Sequence, residues 1–286
     1  MTTDAGTWEP SALELSRRRT RRRQTGRSVL LGAASTLVFA VVMAVVVLTA
    51  PGWQTVRDTF FDVDVALRSL PSVLAGLWVN IQVLVVAAVA VAVLGTLLAT
   101  LRSLRGPVFF PLRAVATIYT DLFRGMPLLI VLYLVGFGVP ALGVFGRVPA
   151  VVWGTIAIVV TYSAYVAEVL RAGMEAVHPS QRIAARSLGL THGQTLRIVV
   201  IPQGVRKVVP ALMNDFVSMQ KDVGLISVLG AVDAVRAAQI QVAATYNFTP
   251  YVVAGLLFVL LSWPMIRLTD AASARLARRE QNEGVV

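Results

Sequence analysis

Long apolar stretches alternate with short, arginine-rich polar segments along the whole chain. Ser28 to Ala50 is an apolar run of roughly the twenty residues a helix needs to cross a bilayer, and Pro51 closes it. The run is longer than the h-region of an export signal, so it stays as a span. Gly52 to Leu70 is a polar connection carrying Asp58, Asp62 and Asp64. The pattern predicts a second span from Pro71 to Leu101, ending at Arg102 and Arg105. Pro111 to Phe123 mixes Arg113 and Asp121 with apolar residues and predicts a short interfacial helix. Further spans are predicted from Arg124 to about Phe145, from Ala150 to Leu170, from Val208 to Leu229 and from Pro250 to Leu268, with Ala231 to Asn247 as an outer loop. The pattern as a whole predicts an all-α integral membrane protein of about six transmembrane helices.

Charge adds the orientation. Arginines recur at alternate connections, and Lys and Arg accumulate on the cytoplasmic side of membrane proteins. Both termini are therefore expected in the cytoplasm, the first as a disordered basic tail over residues 1–27, with Arg17 to Arg19 and Arg21 to Arg23 beside an anionic leaflet. The net charge of +11 belongs to these flanks, not to a separate nucleic-acid-binding domain. Only 14% of the 286 residues are charged, against about 25% in soluble domains.

Pro179 to Gln203 is the polar stretch with internal design. Ala184, Ala185 and Leu188 recur at helical spacing, and Gly189 falls where a helix C-terminus wants positive φ. Thr191 and Gln194 have the spacing of a capping box. Pro202 is expected to stop the second helix, for want of an amide hydrogen. Helix, glycine corner and helix make a compact basic knuckle between two spans.

Ala184-Ala185, Gly189 and Val199 to Pro202 resemble the "EAA" loop of binding-protein-dependent ABC importer permeases. Gly76 to Asn80 is similar to that family's Gly-Leu-x-x-Thr pattern, with Asn80 in the threonine position. Arg124-Gly125-Met126-Pro127 is similar to its Arg-Gly-Thr-Pro, and Tyr165, Glu168, Arg171 and Gly173 resemble its polar amino acid branch, Tyr-x-x-Glu-x-x-Arg-x-Gly. The resemblance implies a five-helix importer-permease core over residues 71–268 preceded by an added transmembrane helix at 28–50, with a coupling loop at 175–203 and a cytoplasmic tail at 269–286. It further implies a bacterial plasma-membrane protein that moves polar or charged amino acids by alternating access. The implied partners are a cytoplasmic ABC ATPase dimer, an extracytoplasmic amino acid-binding protein and a second permease copy or paralogue. Gln181, Ile183, Ala184, Ala185, Gly189 and Pro202 would form the surface that docks on the ATPase, where Ile183 replaces the usual glutamate.

The least apolar span carries Asn214, Ser218, Lys221 and Asp222 at i, i+4, i+7 and i+8, one helix face. Ionisable groups inside a membrane usually face a cavity or a partner, so this face either lines a solute path or is satisfied locally, Lys221 by Asp222. The family pattern Lys-Asp-Thr-Ser-Leu becomes Lys221-Asp222-Val223-Gly224-Leu225, without its hydroxyls. Glu168 either pairs with Arg171 at i+3 or contacts the ammonium group of a substrate. Arg124 is expected to snorkel to the inner interface beside Gly125 and Pro127. His178 and His192 are too isolated to hold a metal, cysteine is absent, and no P-loop sequence occurs. Catalysis is not expected, nor any cofactor on this chain; ATP and magnesium would sit on the ATPase. An ion-gradient-driven secondary transporter would give the knuckle no duty and would often carry an internal repeat. A membrane scaffold would leave the polar face unexplained.

Overall fold

The computed structural model describes residues 11–104 and 106–283, and every regular element among them is helical. The ends of both expected tails and Arg105 lie outside the described residues, as do the side chains of the arginine runs at 17–23 and 278–279. The chain divides into two units, one ending at Asp58 and one beginning at Thr59.

In the first unit, α1 runs from Ala12 to Leu48. It starts well before Ser28, where the sequence leads one to expect a disordered tail. Ser11 explains the early start, because its hydroxyl accepts from the Glu14 amide at 3.3 Å and caps the helix. Arginine is also a strong helix former, so the basic stretch extends the apolar helix. The short α2 (Trp53–Phe60) follows.

The second unit opens with α3 (Val63–Ser103), which begins ahead of the expected Pro71 and continues through it. Asp62 sets that start, its carboxylate accepting from the Val65 amide at 3.0 Å. Helix α4 (Phe110–Gly125) meets the next segment at 110°. That segment is α5 (Leu128–Tyr133), carried through a π-turn at Leu134–Gly138 into α6 (Val139–Ala141). Pro127 occupies the bend, where its missing amide hydrogen costs nothing at a helix start. Then come α7 (Ala150–Glu175), α8 (Pro179–Ser187) and α9 (His192–Thr195).

Pro202 does not stop the second knuckle helix. A π-turn at Leu196–Val200 leads from α9 into α10 (Ile201–Asp222), placing Pro202 in the first turn of a new α-helical stretch. A proline is tolerated there because first-turn amides have no intrahelical acceptor. After α10 a 3₁₀ stretch, Val223–Leu229, ends at Gly230. The expected outer loop is largely helical: α11 (Ala234–Thr245) is capped by Asp233, which accepts from the Arg236 amide at 2.8 Å. Helix α12 (Thr249–Glu283) runs on through most of the expected C-terminal tail.

Four described stretches are long and apolar enough to cross a membrane, and six if each of two bent pairs is one span. This agrees with the expected number. The core of the second unit lies among α3, α7, α10 and the 3₁₀ stretch after it, where Leu84, Ala87, Ile158, Tyr162, Met219 and Ile226 are buried together. Helices α7 and α10 cross at a glycine pair. A Cβ on Gly173 would lie 2.6 Å from the Gly204 carbonyl oxygen, and one on Gly204 would lie 2.9 Å from that of Gly173. Small residues at such crossings are how helices in lipid gain close packing, since burial of apolar surface drives nothing there.

Candidate functional site: a cavity between three spans and the knuckle beneath it

The knuckle has the local chemistry its sequence requires. Gly189 sits at φ +84°. Its amide donates to the Arg186 carbonyl at 3.0 Å and that of Leu190 to Ala185 at 3.2 Å, the paired bonds of a Schellman cap. The capping box is complete: the Gln194 amide donates to Thr191 Oγ1 at 3.3 Å, and the Thr191 amide to Gln194 Oε1 at 2.8 Å. Ala185 is buried against the body, while Gln181, Ile183 and Ala184 are exposed. Arg182 Nη2 donates to the Met174 carbonyl at 2.6 Å and Lys207 Nζ to that of Ala176 at 2.8 Å. Arg182 thereby ties α8, and Lys207 ties α10, to the C-terminal end of α7, where cations suit the helix dipole. Ile183 is 65% and Leu188 83% exposed, so two apolar side chains stand on the free surface of the knuckle.

Glu168, on α7, is fully engaged. Arg102 of α3 donates to Oε2 at 2.7 Å, and Arg171 reaches Oε1 at 2.5 Å and Oε2 at 3.2 Å. Arg124, at the end of α4, lies 3.5 Å from Oε2 and is 39% exposed, so its guanidinium turns toward this carboxylate while staying partly open. The spacing alone foresees Arg171. Arg102 and Arg124 come from other helices, and only the fold brings them in. Gly125 follows in the last position of α4, and Pro127 occupies the bend.

The four polar residues of α10 separate. Asn214 and Lys221 are exposed and Ser218 is half-buried. Asp222 does not pair with Lys221: its Oδ2 accepts from the Tyr162 hydroxyl of α7 at 2.7 Å. Helical rotation of 100° per residue explains the split, because Asp222 lies well round the helix from Asn214 and Lys221 but within about 20° of Asp215. Asp215 lines a cavity of about 300 Å³ between α3, α7 and α10, with Thr96 and Tyr162 among otherwise mostly apolar walls. Its Oδ2 is buried without a hydrogen-bond partner, and it joins no ion pair among the described residues. The same rotation argument, applied to the sequence, would have found it.

Asn80, 1% exposed, is buried where α3 meets the end of α10. Its Nδ2 donates to the Val223 carbonyl at 3.2 Å and to Asp233 Oδ2 at 3.0 Å, and its Oδ1 accepts from the Ala234 amide at 3.0 Å. An amide can donate and accept at once, so it binds α3 both to the break after Asp222 and to the start of α11. Among the described residues no group of three or more His, Cys, Asp or Glu could hold a metal ion.

Residues 93–279 match the family model described as binding-protein-dependent transport system inner membrane component. The chain is 32% identical over 201 residues to the arginine transport system permease protein ArtQ of Bacillus subtilis, spanning 70% of this chain and 90% of that protein. It is 39% identical over 166 residues to the nopaline transport system permease protein NocQ of Agrobacterium fabrum, spanning 54% and 70%. Among solved structures, an amino acid ABC transporter crystallised with histidines shares 33% identity at a TM-score of 0.67, covering 73% of this chain and 96% of that one. The inward-facing methionine ABC transporter MetNI shares the fold at a TM-score of 0.57 and 18% identity.

Proposed function

Because this chain belongs to the family of binding-protein-dependent transport inner membrane components, and is a membrane-embedded permease subunit of the ABC importer type, we propose that it carries polar amino acids, and prefers those with a cationic side chain. The observation that carries the preference is Asp215, a carboxylate in a cavity between three spans with one oxygen unpartnered. A guanidinium or ammonium group entering there would supply the missing charge and hydrogen bonds. Asp222, held by Tyr162 on the same stripe of α10, offers a second acceptor along the path, and Asn214, Ser218 and Lys221 flank it. A relative named for arginine transport supports the same class, and relatives named for glutamine transport support polar amino acids in general.

ATP hydrolysis takes place on a separate cytoplasmic ATPase dimer, which holds ATP and magnesium and grips the knuckle at Gln181, Ile183 and Ala184. Ala185 and Gly189 keep that surface in shape, and the helical connection through Pro202 carries its motion into α10. An extracytoplasmic binding protein delivers the amino acid, and a second permease copy or paralogue completes the path. Both termini and the knuckle face the cytoplasm. Glu168 acts as a positioning residue that joins α3 to α7. Reconstitution with the co-purifying ATPase and binding protein tests this: labelled arginine should accumulate on addition of ATP, at least tenfold above glutamate. Equal uptake of both would remove the cationic preference, and uptake that needs no ATP would remove the importer reading.

A further inference from the structure

A second cavity, of about 230 Å³, lies where the ends of α3 and α7 meet the knuckle. Arg102 and Ser103 come from α3, Arg171 and Glu175 from α7, Arg182 from α8, and His192 opens α9. Arg102, Arg171, Arg182 and nearby Arg124 stand against two carboxylates, Glu175 and a Glu168 held mainly by Arg102 and Arg171, so the cluster as a whole carries a surplus of two positive charges. The bonds in place leave capacity for more. Arg102 uses Nη1 for Glu168, Arg182 uses Nη2 for the Met174 carbonyl, and each guanidinium has five N–H groups. Leu104, Met174 and Leu196 give the same cavity an apolar wall.

We propose that this pocket binds a phosphate group, supplied by the headgroup of an anionic lipid or by free phosphate. Fork-shaped guanidiniums suit phosphate oxygens, two surplus charges suit its charge, and the apolar wall suits the first carbons of a lipid's acyl chains. Basic pockets at the cytoplasmic ends of spans are where such headgroups bind, so the lipid source rests on the proposed sidedness of the knuckle. A phosphate there contacts α3, α7 and the knuckle together, and stiffens the joint through which the coupling loop would move the spans.

The test uses the purified full chain with whatever partners accompany it. Retention of phosphatidylglycerol is counted by native mass spectrometry after extraction from nanodiscs, and thermal stability is followed in lipid-free detergent with added inorganic phosphate. The wild type should retain phosphatidylglycerol over phosphatidylcholine, and Arg182→Gln should weaken retention about fivefold for the lost charge. Arg182→Lys should keep most of it. Ser103→Asp, which adds a carboxylate without touching an arginine, should weaken it similarly if Arg182→Gln proves unstable. Lipid retention that free phosphate does not displace identifies a headgroup. Stabilisation by millimolar phosphate that Arg182→Gln abolishes identifies the free ion. Retention and phosphate response that are the same in wild type, Arg182→Gln and Ser103→Asp overturn the proposal. These are binding readouts in detergent, so a chain that binds phosphate but imports no amino acid counts against the proposed function alone.

Discussion

Glu168 and Asp215 are both carboxylates on core helices, α7 and α10, in segments apolar enough to cross a membrane, yet the fold treats them in opposite ways. Both oxygens of Glu168 are held by Arg102 and Arg171, with Arg124 close by. Asp215 has an oxygen buried with no partner, beside a cavity. A carboxylate held away from water costs free energy unless it is paired and hydrogen-bonded. At Glu168 internal cations offset that cost, and at Asp215 no described cation does; on the proposed function a cationic cargo offsets it in passing. A charged residue in a span therefore says little about function until its partners are known. The saturated one holds helices together; the unsaturated one is free to meet cargo.

The largest effect should follow Glu168→Gln. Arg102, only 11% exposed, would stay beside Arg171 and Arg124 without its carboxylate, and breaking a buried pair in this way costs about 3 kcal/mol. Thermal unfolding in detergent should show the loss, and transport and partner assembly should fall together. A variant of wild-type stability that fails to transport would move Glu168 into the cargo path and collapse the contrast. Asp215→Asn should do the reverse. Unfolding should hardly change, because no internal bond to the buried oxygen is lost, while uptake of arginine falls about tenfold, roughly 1.4 kcal/mol of lost interaction. Arginine uptake equal to wild type would show that Asp215 serves only the fold.

Much of this was legible in the chain itself. Span number, a helix at Pro111 to Phe123, the glycine corner and the capping box follow from period, length and turn chemistry, all local signals. The errors share one cause. Pro202 reads as a stop when taken alone, and the polar stretches before Ser28 and Pro71 read as lying outside the helices, whereas a π-turn, a Ser11 cap and an Asp62 cap let those helices run on. Likewise Arg102, Arg124 and Asn80 reach across helices, and no periodicity encodes which helix lies beside which. Asp215 differs, since the rotation that pairs it with Asp222 was available and was spent on the stripe containing Asn214.

Tyr162→Phe sharpens the comparison from the other side. It removes the donor to Asp222 and leaves a second carboxylate unengaged, at about 1 kcal/mol of stability. If unsaturated carboxylates serve the cargo, the variant should still import arginine, with altered affinity; complete loss would mean that Asp222 must be held to work.

Arg124→Gln should have the smallest effect. Its guanidinium stands 3.5 Å from Glu168 and is 39% exposed, while Arg102 and Arg171 approach to 2.7 and 2.5 Å and occupy both oxygens. An exposed pair at that distance contributes about 0.5 kcal/mol, less at high salt. The variant should therefore unfold within a degree or two of wild type, and the small difference should vanish as salt is raised. A salt-independent loss approaching that of Glu168→Gln would mean that Arg102 and Arg171 cannot hold the carboxylate without the third cation. The cluster would then be one cooperative unit spanning α3, α4 and α7, and the saturation of Glu168 would depend on the bend that α4 makes before Pro127.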